Sequence, residues 1–178
     1  MLQLRACKAG DYLLEPVLRS DQPFVFKGLS DPEVIAYYGV SFDSLEATAT
    51  QMDFYENLLK EETGAAWKIV DPQLKKPLGV VAGYLYQSQH EKMEIGFWLL
   101  PAFQGKGIMK MVLPVFLEQL QKLFKLHRIE ATVETENLPS CRLLEKAGFE
   151  KEGLLRDYEI KNGKRISLFV YSLLLANR

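Results

Sequence analysis

The chain has 178 residues, enough for one domain with its own core, and 48% of them are apolar. Its 22 Lys and Arg against 23 Asp and Glu leave a formal net charge of -1, without the basic excess by which nucleic-acid binders displace counterions from phosphates. No apolar run approaches the ~20 residues of a membrane span, and Arg5, Lys8 and Asp11 interrupt any secretory apolar stretch at the N-terminus. Cys7 and Cys141 lie far apart with no metal ligand beside them and read as reduced thiols. The expectation is a single domain over residues 1–178, soluble and cytoplasmic, with no metal, no membrane and no nucleic-acid partner.

In chain order, residues 2–6 alternate and predict a short strand. Residues 11–18 and 32–38 predict helices, the second with Asp31 as N-cap and Pro32 in the first helical position. Residues 45–62 predict a longer helix capped by Ser44, with Ala47, Met52, Tyr55, Leu58 and Leu59 on one side. The texture then changes to strands at 65–70, 78–86 and 93–100. A helix over 110–124 follows, which Pro114 should bend. A strand at 129–135 and a helix at 140–146, ended by Gly148, come next. Residues 158–161 and 165–175 pair as a hairpin through Asn162-Gly163. This order predicts an α+β (mixed α/β) fold: a central mixed, mostly antiparallel sheet with helices on both faces.

The most informative stretch joins the strand at 93–100 to the helix at 110–124. Gln104, Gly105, Lys106, Gly107, Ile108, Met109 and Lys110 put two glycines around a lysine at a strand-to-helix junction. Such a loop lets backbone N–H groups close around a phosphate, with the helix N-terminus behind it. The spacing is neither a Walker A motif nor a dinucleotide fingerprint, and by itself it is also that of an ordinary turn. Some thirty residues on, Asn137 and Ser140 open a short helix that ends in Gly148-Phe149.

Together these two clusters resemble the GCN5-related N-acetyltransferase (GNAT) superfamily. Gln104, Gly107 and, imperfectly, Met109 match its cofactor motif, and Asn137, Ser140, Gly148 and Phe149 match its later signature. Residues 94–99 with Pro101, and Glu152-Gly153, are similar to the ribosomal-protein N-terminal acetyltransferase subgroup, RimJ/RimL-like. The resemblance implies acetyl-CoA as acyl donor and a primary amine as acceptor. That amine is a protein N-terminus or a small amine such as a polyamine. It places the pyrophosphate on residues 104–110 and pantetheine along the strand edge at Trp98, Leu99 and Leu100. It gives Ser140 to the departing thiolate and Asn137 to a cofactor hydrogen bond. Glu159 is the first choice for the general base and Glu94 the second. Where the motif has a small residue, Met109 must point away from the phosphates or narrow the site.

Each assignment has a plainer counterpart. Asn137 and Ser140 could cap their helix, Glu159 could be a solvated strand residue, and Glu94 could serve a neighbouring group structurally. Cys141 reads as a packed thiol, and His90 and His127 as ordinary surface or core residues. Tyr37, Tyr38 and Phe42 fall where the resemblance puts the acceptor pocket. A non-catalytic acyl-CoA-binding or sensing module, and a protein-interaction domain with an incidental turn, are the competing functions. An exposed sheet edge leaves a homodimer open.

Overall fold

The computed structural model describes residues 2–176. The strands are β1 (Cys7–Ala9), β2 (Tyr12–Pro16), β3 (Ala65–Asp71), β4 (Lys76–Gln87), β5 (Lys92–Leu99), β6 (Arg128–Glu134), β7 (Glu150–Lys161) and β8 (Lys164–Leu174). The helices are α1 (Gln22–Leu29), α2 (Pro32–Ile35), α3 (Ala49–Lys60), α4 (Ile108–Leu123) and α5 (Leu138–Lys146). The strands form one sheet in the order β1-β2-β3-β4-β5-β6-β8-β7. Every pair is antiparallel except β5 with β6, which α4 connects as a parallel crossover. The expected mixed, mostly antiparallel sheet is therefore present.

Alternation along the central strands sends apolar side chains to both faces, and each face has its own core. Trp67, Ile69, Leu78, Val81, Met93 and Ile95 pack under α4, whose Ile108, Val112, Leu113, Phe116 and Leu120 recur at three- and four-residue spacing. Burial of each such side chain contributes about 1.5–3 kcal/mol. That is enough to hold α4 helical through Pro114, which lies inside it. On the opposite face Ala66, Val80, Ala82 and Trp98 meet Val25 and Leu29 of α1, Val34 of α2, and Met52, Tyr55 and Leu58 of α3.

Two sequence expectations are corrected, and one helix is added. Residues 11–18 are not helical: Tyr12–Pro16 is β2, paired with β1 on one side and β3 on the other. The run 12–14 fits either period locally, and Leu14, buried opposite Ile69, decides for the strand. The first strand begins at Cys7, not at residue 2. Helix α1 was not foreseen, because Gly28 is a poor helix former. Its lack of a side chain is what the packing uses, since a Cβ there would lie 2.2 Å from the Trp98 ring.

Other boundaries moved. α2 stops at Ile35 instead of 38, although Asp31 Oδ1 accepts from Glu33 N–H as expected of its cap. α3 begins at Ala49; Ser44 Oγ accepts from Ala47 N–H in the turn before it, and Ala47 is exposed. β7 starts at Glu150, far before residue 158. The Asn162-Gly163 turn closes the hairpin as expected, both residues having positive φ (50° and 74°).

Candidate active site

The parallel ladder between β5 and β6 is three pairs long, Lys92 with Arg128, Met93 with Ile129 and Glu94 with Glu130. Beyond it β5 stays with β4 as far as Leu99, and β6 stays with β8 as far as Glu134. The two strands therefore part, and the β6-facing edge of residues 95–99 has no ladder partner among the described residues. A cavity of about 460 Å³ opens at this divergence.

Glu94, Asn137, Ser140 and Glu159 all line that cavity. They come from β5, the start of α5 and β7, so the three catalytic candidates of the sequence converge in one place. Glu94 sits at the apex, at the last paired position. Its Oε1 accepts from Thr132 Oγ1 (2.9 Å) and from the Tyr84 hydroxyl (3.4 Å). Burial pushes the Glu94 carboxyl above the ordinary value; the Thr132 and Tyr84 hydroxyls oppose this, while the negative charges of Glu130 and Glu159 add to it. Burial, reinforced by Glu94, holds the Tyr84 phenol far above its usual range, so at neutral pH it remains a donor. Glu159 is exposed, on a stretch of β7 where the register with β8 shifts between Leu155 and Glu159. A bulge of this kind re-aims the side chains beside it.

Asn137 is the N-cap of α5: its side chain accepts from Ser140 N–H at 3.3 Å. The structural role foreseen for it is thus filled, and the side chain still borders the cavity. Ser140 is half-buried in the first turn of α5, where a helix leaves its N–H groups without intrahelical partners. Cys141 turns the other way, into the core.

The glycine loop does not line this cavity. It follows the far end of β5, across a short 3-10 turn at Pro101–Phe103. Gly105 and Gly107 have φ of +70° and +76°, angles that glycine adopts without cost. Gly107 is the N-cap of α4, and nothing lies within 4 Å of where a Cβ of either glycine would stand. Lys106 and Lys110 are exposed beside them. Gln104 Nε2 donates to the Leu99 carbonyl at 2.9 Å, so this side chain ties the loop to the strand end. Met109 is buried in the core with Ile108, pointing away from the loop. The side chains of Trp98 and Leu100 are buried too, which leaves the backbone edge as what this segment can offer a ligand.

The remaining wall comes from Tyr37, Tyr38 and Val40 after α2, from Gln51 and Phe54 of α3, and from Leu85 of β4. Burial raises the Tyr38 phenol well above its ordinary range. Lys161 Nζ, at the tip of the hairpin, donates to Glu134 and to the Ala36 carbonyl (2.6 Å), fastening this wall to β6. Of the sequence candidates, Tyr37 and Tyr38 reach the cavity and Phe42 packs behind it. Thr132, Tyr84, Lys161, Gln51, Phe54 and Leu85 were missed. Thr132 and Lys161 meet their partners across long stretches of chain, and Tyr84 meets Glu94 only through the pairing of β4 with β5, so no local spacing announces them.

No helix among the described residues is long and apolar enough to cross a membrane, and those residues hold no cluster of three or more His, Cys, Asp or Glu suited to a metal. Residues 12–150 match the family described as "Acetyltransferase (GNAT) domain". The uncharacterized N-acetyltransferase YoaA of Bacillus subtilis (strain 168) is 31% identical over 162 residues, 90% of this chain and 92% of that protein. Among solved structures, RimL, a ribosomal L7/L12 alpha-N-protein acetyltransferase in complex with coenzyme A, superposes with a TM-score of 0.85 at 18% identity, covering 96% of this chain and 98% of the other. Spermidine N-acetyltransferase from Vibrio cholerae, in complex with CoA and spermine, gives 0.82 at 22% identity, with 92% and 95% covered.

Proposed function

Because the chain belongs to the acetyltransferase (GNAT) domain family, we propose that it moves an acetyl group from acetyl-CoA to a primary amine in the opening between β5 and β6. The observation that carries this reading is the convergence of Glu94, Ser140 and Glu159 on one cavity beside an unpaired strand edge. Coenzyme A bound to the RimL and spermidine acetyltransferase structures supports the choice of donor.

In this reading the N–H groups of residues 105–110 and the first turn of α4 hold the pyrophosphate, with Lys106 and Lys110 adding positive charge. Pantetheine lies along the free edge of β5 like an added strand and brings the thioester to the apex. A backbone N–H of that edge stabilises the oxyanion as the amine nitrogen attacks the carbonyl carbon. The ammonium first loses a proton to Glu159 or Glu94. The carbon–sulfur bond then breaks; the Ser140 hydroxyl with the N-terminal turn of α5 stabilises the departing thiolate, and the second proton shed by the attacking nitrogen passes to the sulfur, so that an amide and free CoA thiol leave. Glu159 is solvated and open to the acceptor. Glu94 is held by two hydroxyls and has the raised carboxyl. A relayed role through water suits it better than direct contact.

The subgroup likeness favours a protein N-terminus, and the same fold in the Vibrio cholerae enzyme serves spermidine. Two free cysteines fit a reducing cytoplasm. Release of free thiol from acetyl-CoA, measured with peptide N-termini, spermidine and small amines, tests the reaction. Cofactor binding without thiol release on any acceptor would make the chain a sensing module instead.

A further inference from the structure

Thirteen large apolar side chains are conspicuously exposed among the described residues, and four of them, Tyr37, Val40, Phe54 and Leu85, border the one cavity that holds Glu94 and Glu159. A rim in water could be polar at no cost to the fold, so this concentration asks for a ligand. Leu85 is the sharpest case. It is 62% exposed and has φ of +55°, a conformation that costs a non-glycine residue about 1–2 kcal/mol. It stands in the irregular stretch of β4 between Tyr84 and Gln87, where the register with β5 shifts. Strain at such a bulge is retained where it aims a side chain at a ligand.

Charge points the same way. Among the described residues the cavity lining contains no Lys or Arg, and its carboxylates are Glu94, Glu134 and Glu159. Glu134 is already engaged by Lys161. Two carboxylates close to the apex suit one ammonium. The apolar wall continues over Phe54 and Leu85, which also line a second cavity of about 370 Å³ together with Leu58 and Tyr86. A polyamine would have to carry its further ammonium groups past that apolar wall, and Glu61 is the carboxylate that lines the second cavity.

Building on the acetyltransferase reading, we propose that the acceptor is a single primary amine carried on a bulky aliphatic or aromatic body, gripped between Phe54 and Leu85. Both an N-terminal peptide residue of that kind and a free aryl- or alkylamine have this chemistry. Leu85 is a specificity-determining residue of the site.

The test measures thiol release from acetyl-CoA with Leu- and Phe-initiated peptides, Gly- and Ser-initiated peptides of equal length, phenethylamine and spermidine. The Leu and Phe peptides, or phenethylamine, should exceed the Gly and Ser peptides and spermidine at least about tenfold in kcat/KM, the worth of one partly buried large apolar side chain. Whether peptide or free amine leads identifies the source. Leu85→Asn keeps the size and tolerates the left-handed backbone. It should raise KM for the apolar acceptor about tenfold and leave KM for acetyl-CoA in place; Phe54→Gln should act likewise. Equal or better use of spermidine or Gly peptides, or a preference unchanged in both variants, overturns this inference and leaves the transferase reading standing. No thiol release with any amine overturns both.

Discussion

The two sides of the cleft are built by different means. The side that the proposed reading gives to the cofactor, from β5 through the glycine loop beyond the cavity to α4 and the start of α5, is made of backbone. Two glycines have positive φ, a helix N-cap follows, and a strand edge is left free by a ladder three pairs long. The side that this reading gives to the acceptor is made of side chains drawn from the segment after α2, from α3, from the bulge in β4 and from the closing hairpin. Backbone devices restrict residue type, so they leave a mark in sequence; a wall of side chains needs only suitable volume and polarity. In the proposed reading one side serves the donor, and the other is free to change acceptor on the same scaffold.

Variants sharpen this division, and the largest effects belong at the apex. Glu159→Gln should lower kcat about a hundredfold if it takes the proton, with KM for acetyl-CoA unmoved. Glu94→Gln should also lower kcat, and the acid limb of the wild-type pH profile should lie above the usual carboxylate range if Glu94 contributes. Its raised carboxyl has a consequence for stability. The folded state holds the proton more tightly than the unfolded one, so stability falls as pH rises from the ordinary glutamate value through the raised one. Glu94→Gln should therefore melt slightly higher than wild type at neutral pH, the pattern expected of a functional group held at a cost. A lower melting temperature would contradict that.

Ser140→Ala comes next, with kcat reduced about tenfold or more and acetyl-CoA affinity retained; wild-type turnover would remove Ser140 from the chemistry. On the cofactor side Gly107→Ala forces a side chain to φ of +76°. The effect should fall on KM for acetyl-CoA, by about tenfold, and leave the acid limb of the pH profile in place. A change in that limb without a change in KM would blur the division between the two sides.

The smallest effect lies outside the cleft. Arg128 and Ser172 donate to Glu152, linking β6, β7 and β8, and Arg128 holds the Glu152 carboxyl down to about 2. Its contribution is present above the ordinary glutamate value and disappears as pH falls toward 2. Solvent screening keeps it small, so Glu152→Gln should shift the thermal midpoint only slightly near pH 7 and not at all near pH 2.

What could be read from sequence follows the same line. Gly105 and Gly107, the Asn137 cap, Gly148 after α5 and the Asn162-Gly163 turn were legible because each solves a local backbone problem. The central strands were legible from short, predominantly apolar runs, broken only by Lys68 and Glu94. The strand at 12–16 was not, because Leu14 is placed by Ile69, more than fifty residues on. Nor was the setting of Glu94, whose partner Thr132 becomes a neighbour only once α4 has carried the chain across to β6. Met109 departed from the motif in sequence, and in the fold its side chain belongs to the core.

Amide hydrogen exchange with and without CoA tests the division most directly. The account predicts protection in residues 95–99, along the free edge of β5, and in 104–110, with little change in 37–40 and around 85 until an amine acceptor is added. Protection confined to other segments, or none in 104–110 at saturating CoA, would contradict it.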